Sequence, residues 1–469
     1  MSPDLLTGNG LRRLLMINRN EISVSVVALG CSKNLVDAEC MSTKLREAGY
    51  KISDSSDDSE VVVINTCGFI EAAKKEAIDT ILKAGDLKYG FNGSHKLKHI
   101  IVTGCLSQRY PDDILAQMPE VDIVLGTADY GSIVEAVDSL YAEDKNFNKK
   151  YEGKPGGMSH LMTDRDISTS GYAWLKIGEG CIHRCAFCAI PLIRGPFVSR
   201  PMDEIVAEAK AIADKGYKEI VLTAQDTTNY GIELNKKRQL PELLEKLSEI
   251  EGIEAIRVLY GYMDGIDEEL LDVMKNNPKV VHYLDIPIQH GCDKILKAMR
   301  RRDTVDIITK KLELIRSRIP DIIIRTTVLV GFPGETEEDF EELLSNLRRW
   351  KFDRLGCFAY SPEENTPAFD MPDQVDEDVK KERVRRVYET QFPIALESSK
   401  SRVGTEVKVT IDSVADDGIF YIGRSYGEAP DDDPVIYVAA SEHELDIGGR
   451  YDVRILECSD SFDLTGVTI

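Results

Sequence analysis

Three cysteines within eight residues carry the strongest chemical signal in the chain. They are Cys181, Cys185 and Cys188. They follow the run Ala173–Ile177, which predicts a β-strand. Thiolate ligands select zinc, copper(I) or iron–sulfur clusters. Zinc usually takes four ligands, and His183 is the one candidate for the fourth, although its place inside the loop indicates a spacer. A [4Fe–4S] cluster held by three cysteines leaves one iron open to a substrate.

Three other cysteines each come directly after a predicted strand in the first part of the chain. They are Cys31, Cys67 and Cys105, which follow the runs Val24–Leu29, Val61–Asn65 and His99–Thr103. The carboxyl ends of parallel strands lie side by side at one edge of an open sheet, where ligands bind. We therefore expect the three thiols to converge on a second three-cysteine cluster. Zinc ligation and simple burial of the thiols are the alternatives that the residue types leave open.

The elements around these cysteines predict an α/β chain in three regions. In the first region, β-branched runs, including Val121–Leu125, alternate with helical patterns such as Ile70–Ala84, which predicts a small parallel sheet. The second region repeats the strand–helix alternation six times, which favours a barrel or partial barrel with its chemistry after the strand ends. Its predicted strands are Ala173–Ile177, Glu219–Thr223, Ala255–Tyr260, Val280–Pro287, Ile322–Val330 and Arg354–Tyr360, with helices such as Asp203–Lys215 and Glu335–Trp350.

The third region changes to short alternating strands and predicts a small all-β barrel. These strands are Val407–Ile411, Gly418–Ile422, Val435–Val438 and Tyr451–Ile455. The predicted organisation is an N-terminal extension (1–22), an α/β domain (23–141), a polar linker (142–166), a barrel (167–399) and the all-β domain (400–469).

The segments around both cysteine sets resemble a known enzyme family. The spacing Cys-x3-Cys-x2-Cys, with the aromatic Phe187 before the last cysteine, resembles the radical S-adenosylmethionine (SAM) enzymes, whose partial barrel matches the six units. The first-region segments resemble the N-terminal domain of the methylthiotransferases, the barrel segments look like the RimO branch of that family, and the last region looks like a TRAM domain. These segments are Leu29–Asp37, Asn65–Glu71, Thr103–Tyr110, Ala189–Gly195, Ala224–Thr228, Leu284–His290, Gly331–Glu335 and Ser425–Pro430.

The resemblance implies two [4Fe–4S] clusters, one on each cysteine set, and SAM bound at the open iron of the barrel cluster. SAM would serve both as methyl donor and as the source of a 5′-deoxyadenosyl radical, and the product would be a methylthio group on Cβ of an aspartate in small-subunit ribosomal protein S-twelve. An electron donor and a sulfur source are further expected partners. The residues expected to contact SAM are Phe187, Gln225, Asp226, Gly331, Pro333, Gly334 and Glu335.

Charge discriminates between the possible substrates. The chain carries a net charge of −23, and residues 401–469 contain five Lys or Arg against fifteen Asp or Glu. A module that holds RNA should neutralise phosphates with basic side chains. We therefore expect the last domain to dock a basic ribosomal protein, partly through the run Asp431–Asp433, although an acidic face can serve solubility alone. The alternatives are a tRNA adenosine methylthiotransferase and a non-enzymatic iron–sulfur RNA-binding module.

Composition also predicts the cellular compartment in which the protein acts. No apolar run reaches the roughly 18 residues of a membrane span, and Met1–Arg19 lacks the pattern of an export signal. The ten cysteines are therefore expected in a reducing cytoplasm. Cys40 and Cys357 fall within helix or strand patterns and are expected to be packing residues, whereas no role is predicted for Cys292 and Cys458. His290 ends a predicted barrel strand and could face the site, although a packing or supporting role is favoured.

Overall fold

The computed structural model describes residues 18–91, 96–142, 147–440 and 443–469. These residues divide into two compact units. Unit 1 extends to Ser168 and also includes Glu179–Ile182 and Ala189–Val198. Unit 2 comprises Thr169–Gly178, His183–Cys188 and Ser199–Ile469. The chain therefore passes repeatedly from one unit to the other around the second cysteine set.

Unit 1 is built on a six-stranded, fully parallel sheet. Its strands are β1 Ser23–Ala28, β2 Lys51–Ile52, β3 Val61–Thr66, β4 His99–Gly104, β5 Ile123–Leu125 and β6 Lys150–Tyr151, in the order β2-β1-β3-β4-β5-β6. Its helices are α1 Ser32–Glu47, α2 Glu71–Tyr89, α3 Cys105–Arg109, α4 Pro111–Gln117, α5 Ile133–Leu140 and α6 Ile190–Ile193. The small parallel sheet predicted for the first region is confirmed.

Both faces of this sheet are covered, which explains why its strands read as continuous apolar runs. Val61 and Val63 of β3 pack with Met41 of α1, whereas Val62 and Ile64 point to the opposite face. Side chains alternate between the faces of a strand, and a strand with helices on both sides must be apolar at every position.

The polar segment expected to be a linker contains ordered structure of its own. It contributes β6, and the side chains of His160 and Arg165 within it are buried in unit 1. The Nε2 of His160 lies 2.7 Å from the Asp37 carboxylate, and Arg165 donates to Glu39. Polar partners bury these two side chains in a segment without apolar periodicity, so hydropathy alone does not reveal their burial.

Unit 2 contains an open sheet of six parallel strands, as predicted, and a closed barrel. The sheet consists of β7 Tyr172–Lys176, β10 Glu219–Thr223, β11 Ala255–Val258, β12 Val280–Asp285, β13 Ile323–Val330 and β14 Arg354–Ala359, in the order β14-β13-β12-β11-β10-β7. The short strands β8 Gly178–Glu179 and β9 Val198–Ser199 lie between β7 and β10 in the chain, each where the chain passes from one unit to the other. Its helices are α7 Met202–Asp214, α8 Ile232–Asn235, α9 Leu240–Ser248, α10 Glu268–Asn276, α11 Asp293–Ala298, α12 Val305–Arg318, α13 Glu337–Trp350 and α14 Glu377–Lys400.

The closed barrel has five strands, one more than the sequence pattern predicts. They are β15 Glu406–Val414, β16 Tyr421–Arg424, β17 Ile436–Ala439, β18 Arg450–Cys458 and β19 Leu464–Thr468. The additional strand, β19, contains Gly466, where a Cβ would lie 2.5 Å from Cγ1 of Val453. This close approach requires glycine and interrupts the alternating pattern that identifies a strand.

Each carboxylate of the acidic run Asp431–Asp433 has a partner on the six-stranded sheet, although Asp431 and Asp432 are exposed. Asp433 is 3% exposed and accepts a hydrogen bond from Tyr283, and Asp432 pairs with Arg325 at 3.1 Å. The run is therefore not a set of three free carboxylates, because Tyr172 on β7, Arg325 on β13 and Tyr283 on β12 each hold one of them. Within the described residues, no helix combines the length and apolarity that crossing a membrane requires.

Candidate functional site

The structure places Cys31, Cys67 and Cys105 at the carboxyl ends of β1, β3 and β4, which are neighbours in the sheet of unit 1. Cys31 is the residue before α1, Cys67 follows β3 directly, and Cys105 begins α3. The register pairs Ala28 with Asn65 and Thr66 with Gly104, so the strand ends that carry the three cysteines lie side by side. We refer to these residues as the strand-end cysteine site.

Two glycines allow the strand ends to approach this closely. At Gly30 (φ +83°), a Cβ would lie 2.6 Å from Cβ of Cys67 and 3.0 Å from its sulfur. At Gly104 (φ +101°), a Cβ would lie 2.4 Å from the carbonyl oxygen of Thr66. Both positions combine a left-handed backbone with a neighbour that no side chain would tolerate. Each glycine directly precedes one of the cysteines, so the turn that presents the thiol depends on it.

Asn34 connects the same turns through hydrogen bonds. Its side-chain amide donates to the carbonyl oxygen of Leu29 at 2.8 Å and to that of Thr66 at 3.0 Å. The Asn65 amide in turn donates to the backbone oxygen of Asn34 at 2.8 Å. These bonds connect the first turn of α1 to the ends of β1 and β3 and hold the strand-end cysteine site in place.

Burial makes two of the three thiols, Cys67 and Cys105, costly to ionise and raises the pKa of each. Burial raises the pKa of Cys67 to about 12, helped by the charges of Cys105 and Cys31. It also raises the pKa of the Cys105 thiol, against the opposing effect of Arg194. A bound metal centre deprotonates its cysteine ligands. Three neighbouring thiols, of which Cys67 and Cys105 are buried, therefore fit a group that carries its own positive charge.

The second set, Cys181, Cys185 and Cys188, forms what we call the cysteine loop. The N–H of Cys181 donates to the carbonyl oxygen of Gly195 at 3.1 Å within unit 1. In unit 2, the N–H of Cys188 donates to the carbonyl oxygen of Cys185 at 3.1 Å, which makes a tight turn. All three cysteines are partly exposed.

The His183 ring forms contacts with other side chains that do not favour metal ligation. Its Nε2 lies 2.7 Å from the Asp226 carboxylate and 3.2 Å from the Asn229 amide. Its ring stacks on Tyr262, with 3.6 Å between ring centroids and 7° between planes. The Arg301 guanidinium lies 4.0 Å from the centroid of the same tyrosine ring. This arrangement agrees with the prediction that His183 is a spacer in the cysteine loop.

Arg301 connects this stack to the cysteine loop. Burial lowers its pKa, but Tyr262, Cys185 and Asp303 together raise the pKa above its ordinary value, and Cys185 does so partly through a hydrogen bond. Arg301 also donates to Asp303 and to the carbonyl oxygen of Pro287, both at 2.9 Å. A buried cation thus faces the Cys185 sulfur.

Asp226 and Glu335, which the sequence analysis assigned to SAM contacts, form hydrogen bonds or ion pairs with other residues of the protein. Asp226, after β10, lies 2.7 Å from Nε2 of His183 and accepts a hydrogen bond from the Thr228 hydroxyl at 2.6 Å. Glu335 accepts from the backbone N–H of Gly331 at 2.6 Å and of Phe332 at 3.0 Å, and it lies 3.2 Å from Arg383. Each therefore shapes a loop at the end of a sheet strand.

The remaining expected SAM contacts lie on the same loops of unit 2. Phe187 packs against an apolar cluster that contains Phe332, so the cysteine loop and the turn after β13 meet there. Pro333 is buried in that turn, Gly334 has a left-handed backbone (φ +77°) with open space where a Cβ would stand, and Gln225 follows β10. The structure places these residues and leaves their contact with SAM a prediction.

None of the ten cysteines, all of which lie in the described ranges, takes part in a disulfide. Cys40 and Cys357 are buried, as expected of packing residues. Cys292 is also buried; its sulfur lies 3.5 Å from Asp339, and burial raises its pKa to about 12. His290 is buried and its Nδ1 accepts from the N–H of Cys292 at 3.1 Å.

Within the described residues, no three side chains of His, Cys, Asp or Glu are arranged to hold a single metal ion. A cluster of four irons and four sulfides separates its ligands farther than one ion does. The all-sulfur donor sets and the glycine-dependent approach of Cys67 fit such a cluster better than a lone zinc ion.

Side chains that the sequence analysis did not single out also shape the two cysteine sets. Around the strand-end cysteine site these are Asn34 and Arg194, and beside the cysteine loop they are Tyr262 and Arg301. Asn34 and Arg194 lie inside the segments Leu29–Asp37 and Ala189–Gly195 that carry the family resemblance. That resemblance was the available signal, whereas nothing local marks Tyr262 or Arg301.

Family models match each of the three regions. The model of the radical SAM superfamily matches residues 175–347, that of the uncharacterized protein family UPF0004 matches 23–126, and that of the TRAM domain matches 403–469. Together with the open six-stranded sheet and its cysteine loop, they define a radical SAM enzyme with two accessory domains.

Full-length relatives identify the family. The chain is 46% identical over 451 residues to ribosomal protein uS12 methylthiotransferase RimO of Acetivibrio thermocellus, which covers 95% of this chain and 98% of the relative. It is also 46% identical to the protein of the same name from Caldicellulosiruptor saccharolyticus, over 96% of this chain and 100% of the relative. The chain belongs to the RimO family of radical SAM methylthiotransferases.

Solved structures share the fold at low identity. The radical SAM methyltransferase TsrM of Kitasatospora setae superimposes with a TM-score of 0.57 at 13% identity, over 75% of this chain and 77% of TsrM. The cobalamin-dependent radical SAM enzyme OxsB gives a TM-score of 0.51 at 14% identity, over 80% of this chain and 57% of OxsB. These similarities concern the fold alone.

Proposed function

We propose that this chain methylthiolates Cβ of an aspartate in ribosomal protein uS12, using SAM both as methyl donor and as radical source. Two [4Fe–4S] clusters serve the reaction, one on the strand-end cysteine site and one on the cysteine loop. The observation that carries this proposal is the convergence of Cys31, Cys67 and Cys105 at three neighbouring strand ends. A radical SAM enzyme that only cleaved SAM would have no use for this second thiol site.

When bound, the loop cluster and SAM supply a radical that can take hydrogen from an unactivated carbon, and the strand-end cluster supplies a carrier for sulfur. The residues of the chain hold and orient these groups. Gly30 and Gly104 let the strand-end thiols converge, and Asn34 fixes the turns that bear them. In unit 2, Asp226 orients His183, and the stack of His183, Tyr262 and Arg301 supports the cysteine loop.

The charges of the closed barrel favour a basic protein over RNA as the partner. Each of its five basic side chains faces a carboxylate. The pairs are Arg402–Glu428, Lys408–Asp452, Arg424–Asp412, Arg450–Glu254 and Arg454–Glu406. RNA binding requires Lys and Arg that neutralise phosphates, and here these side chains neutralise the protein's own acids. A small ribosomal subunit protein rich in basic residues is the natural counterpart.

The proposed reaction also requires two partners outside this chain. The reaction requires an electron donor for the loop cluster and a sulfur source for the strand-end cluster. Reduced thiols and a ribosomal substrate agree with a cytoplasmic enzyme. No direct tRNA substrate and no membrane partner are expected.

The test is mass spectrometry of ribosomal proteins and tRNA from cells that lack this chain. We expect a methylthio group to disappear from an aspartate of uS12 and to return when the unmodified gene is restored. A gene encoding Cys31→Ala, Cys67→Ala and Cys105→Ala should not restore it, whereas one encoding Cys40→Ala should. Loss of a methylthio group from tRNA, with uS12 unchanged, would overturn the proposal in favour of the tRNA-modifying alternative.

A further inference from the structure

Unit 2 contains an open groove beside β14, the last strand of its six-stranded sheet. The walls of the groove are β14, α14 and the closed-barrel loops that precede β17 and β19. It encloses a cavity of about 570 Å³, and the rings of Phe358, Tyr388 and Phe392 line it. Each of these three residues is nearly half exposed. We refer to this cavity and its lining as the β14 groove.

The aromatic side chains of the β14 groove form one contiguous apolar surface. Phe392 of α14 contacts Phe462 of the closed barrel, with 5.1 Å between ring centroids. Phe358 lines the same cavity from β14. Single exposed apolar residues are ordinary on a soluble protein, whereas a group of them around one cavity marks a site that another molecule covers.

One edge of β14 lacks a neighbouring strand. Among the described residues, β14 pairs with β13 alone and ends the sheet. The N–H of Cys357 donates to the Tyr388 hydroxyl at 3.1 Å, and this hydroxyl donates to the carbonyl oxygen of the same cysteine at 3.4 Å. A single side-chain group therefore bonds both the donor and the acceptor that a neighbouring strand would bond. Edge strands accept an extended segment of another chain through such main-chain groups.

The edge of β14 leads towards the cysteine loop. The strand has six residues, which span about 20 Å at 3.3 Å per residue. Its first residues lie beside the closed barrel in the β14 groove. Tyr360, which follows its last residue, packs in the same apolar cluster as Ala186 and Phe187 of the cysteine loop. A segment bound along this edge is therefore directed from the closed barrel to the cysteine loop.

The charges of the β14 groove suit a segment of a basic protein. Its two arginines already face carboxylates, because Arg325 lies 3.1 Å from Asp432 and Arg354 lies 3.9 Å from Glu428. Neither is free to neutralise a phosphate, which RNA binding requires. Three aspartates line the same groove; they are Asp353, Asp432 and Asp433. An apolar side chain flanked by basic residues complements such a surface.

We propose that an extended segment of uS12 binds along the edge of β14, replaces the Tyr388 hydroxyl at the backbone of Cys357, and places an apolar side chain in the β14 groove. The inference rests on the proposed function, which makes uS12 the substrate, and it names the surface that holds this substrate. The bound segment ends at the cysteine loop, where SAM is expected to bind.

Tyr388 makes the sign of one effect specific to this mode of binding. Its hydroxyl must leave Cys357 before a peptide group of the segment bonds there. A hydrogen bond between uncharged groups changes an equilibrium by a factor of about two to ten. Tyr388→Phe keeps the ring in the groove and removes the competing hydroxyl. This variant should therefore bind uS12 about two- to tenfold more tightly than the unmodified chain.

The experiment measures the association and dissociation rates of purified uS12 on the full chain, reconstituted anaerobically with iron and sulfide, by surface plasmon resonance. Phe358→Ala removes one wall of the groove and should raise the dissociation rate at least about tenfold, with an association rate within about twofold of the unmodified value. The matched controls are Phe91→Ala and Tyr89→Phe, at exposed aromatic positions of unit 1, and neither should change the affinity.

Hydrogen exchange of the free and the uS12-bound chain provides a second measurement on the unmodified protein. A strand added to the edge of β14 protects backbone N–H groups there, so exchange of the peptide that contains Cys357 should slow at least about tenfold in the complex. The peptide that contains β2, at the edge of the sheet in unit 1, is the internal control and should exchange at an unchanged rate.

The negative results separate this inference from the proposed function. If cells that lack the chain keep a fully methylthiolated uS12, both are wrong. If that modification is lost from such cells but Tyr388→Phe binds uS12 no more tightly than the unmodified chain, binding along the edge of β14 is wrong and the proposed function stands. A dimer of this chain that Phe358→Ala dissociates, or tRNA binding that the same change abolishes, would assign the groove to another occupant and overturn the inference.

Discussion

The hydroxyl of Tyr283 donates a hydrogen bond to the carboxylate of Asp433, with 2.6 Å between the two oxygen atoms. Tyr283 lies on β12 of the six-stranded sheet, and Asp433 lies in the loop before β17 of the closed barrel. Both side chains are buried. The bond therefore fixes the closed barrel to the sheet within unit 2, and part of the acidic character of the C-terminal region serves this junction.

Removal of the Tyr283 hydroxyl should destabilise the protein. Tyr283→Phe leaves the buried Asp433 carboxylate without one of its donors, which costs about 1–3 kcal/mol of the free energy of unfolding. Urea unfolding of the cofactor-free chain measures the difference. Tyr437→Phe, on the partly exposed face of β17, is the control and should change stability by less than about 0.5 kcal/mol. Equal effects of the two changes would show that the hydroxyl of Tyr283 has no special role.

The same carboxylate should make stability depend on pH. Burial raises the pKa of Asp433, and Arg354 and Tyr283 offset only part of that rise. Because the folded state binds this proton more tightly than the unfolded state, the contribution is fully present below the ordinary aspartate pKa and is lost as pH rises through the raised value. The stability difference between the unmodified chain and Asp433→Asn should therefore favour the unmodified chain more at pH 4 than at pH 7. A difference that grows with pH in urea titrations would contradict the direction of the shift.

Docking of uS12 should depend on acids other than Asp431–Asp433, whose carboxylates already have partners on the six-stranded sheet. Asp416 and Asp417 are exposed on the turn between β15 and β16. Changing both to Asn should lower the association rate with uS12 roughly two- to tenfold at low ionic strength, and the effect should shrink as salt screens charges over about 8 Å. Stopped-flow association across a salt series measures this rate. The control, Glu76→Gln with Asp79→Asn on the exposed face of α2, removes the same charge from unit 1 and should leave the rate unchanged.

Local patterns predicted much of this fold because the elements are strongly periodic. The strand Glu219–Thr223 has the same bounds in the structure as in the sequence analysis. The strands that carry Cys31, Cys67 and Cys105 agree within one residue at each end, and their parallel arrangement alone brings the cysteines to one edge.

Features that depend on tertiary pairing were not predictable in this way. Arg165 is buried against Glu39 across 126 positions of the chain, and no local pattern distinguishes it from a surface arginine in a polar linker. The counted charges of the C-terminal region likewise give no indication that Asp433 is buried beside a tyrosine. Buried polar groups find partners that are distant in sequence, whereas hydropathy reports only average burial.

The bond between Asp226 and His183 should support the cysteine loop specifically. Asp226→Ala removes the acceptor 2.7 Å from Nε2 of His183 and frees the ring that stacks on Tyr262. Loss of a group that orients residues around a metal centre typically costs 10- to 100-fold in metal affinity or activity. We expect SAM cleavage to fall by that factor while about four irons remain at the strand-end cysteine site. Asp214→Ala, an exposed aspartate at the end of α7, should change neither quantity.

Iron analysis should separate the two cysteine sets. The unmodified chain, reconstituted without oxygen, should bind about eight irons, because two three-cysteine sites each hold a four-iron cluster. Cys181→Ala, Cys185→Ala and Cys188→Ala together should halve the iron and abolish the conversion of SAM to 5′-deoxyadenosine. Cys31→Ala, Cys67→Ala and Cys105→Ala together should also halve the iron but leave that conversion intact, since these thiols stand at the strand ends of unit 1 and not in the cysteine loop. Cys40→Ala with Cys357→Ala, at two buried packing positions, is the control and should keep all the iron. Full iron content in the strand-end triple variant would mean that the three convergent thiols hold no cluster.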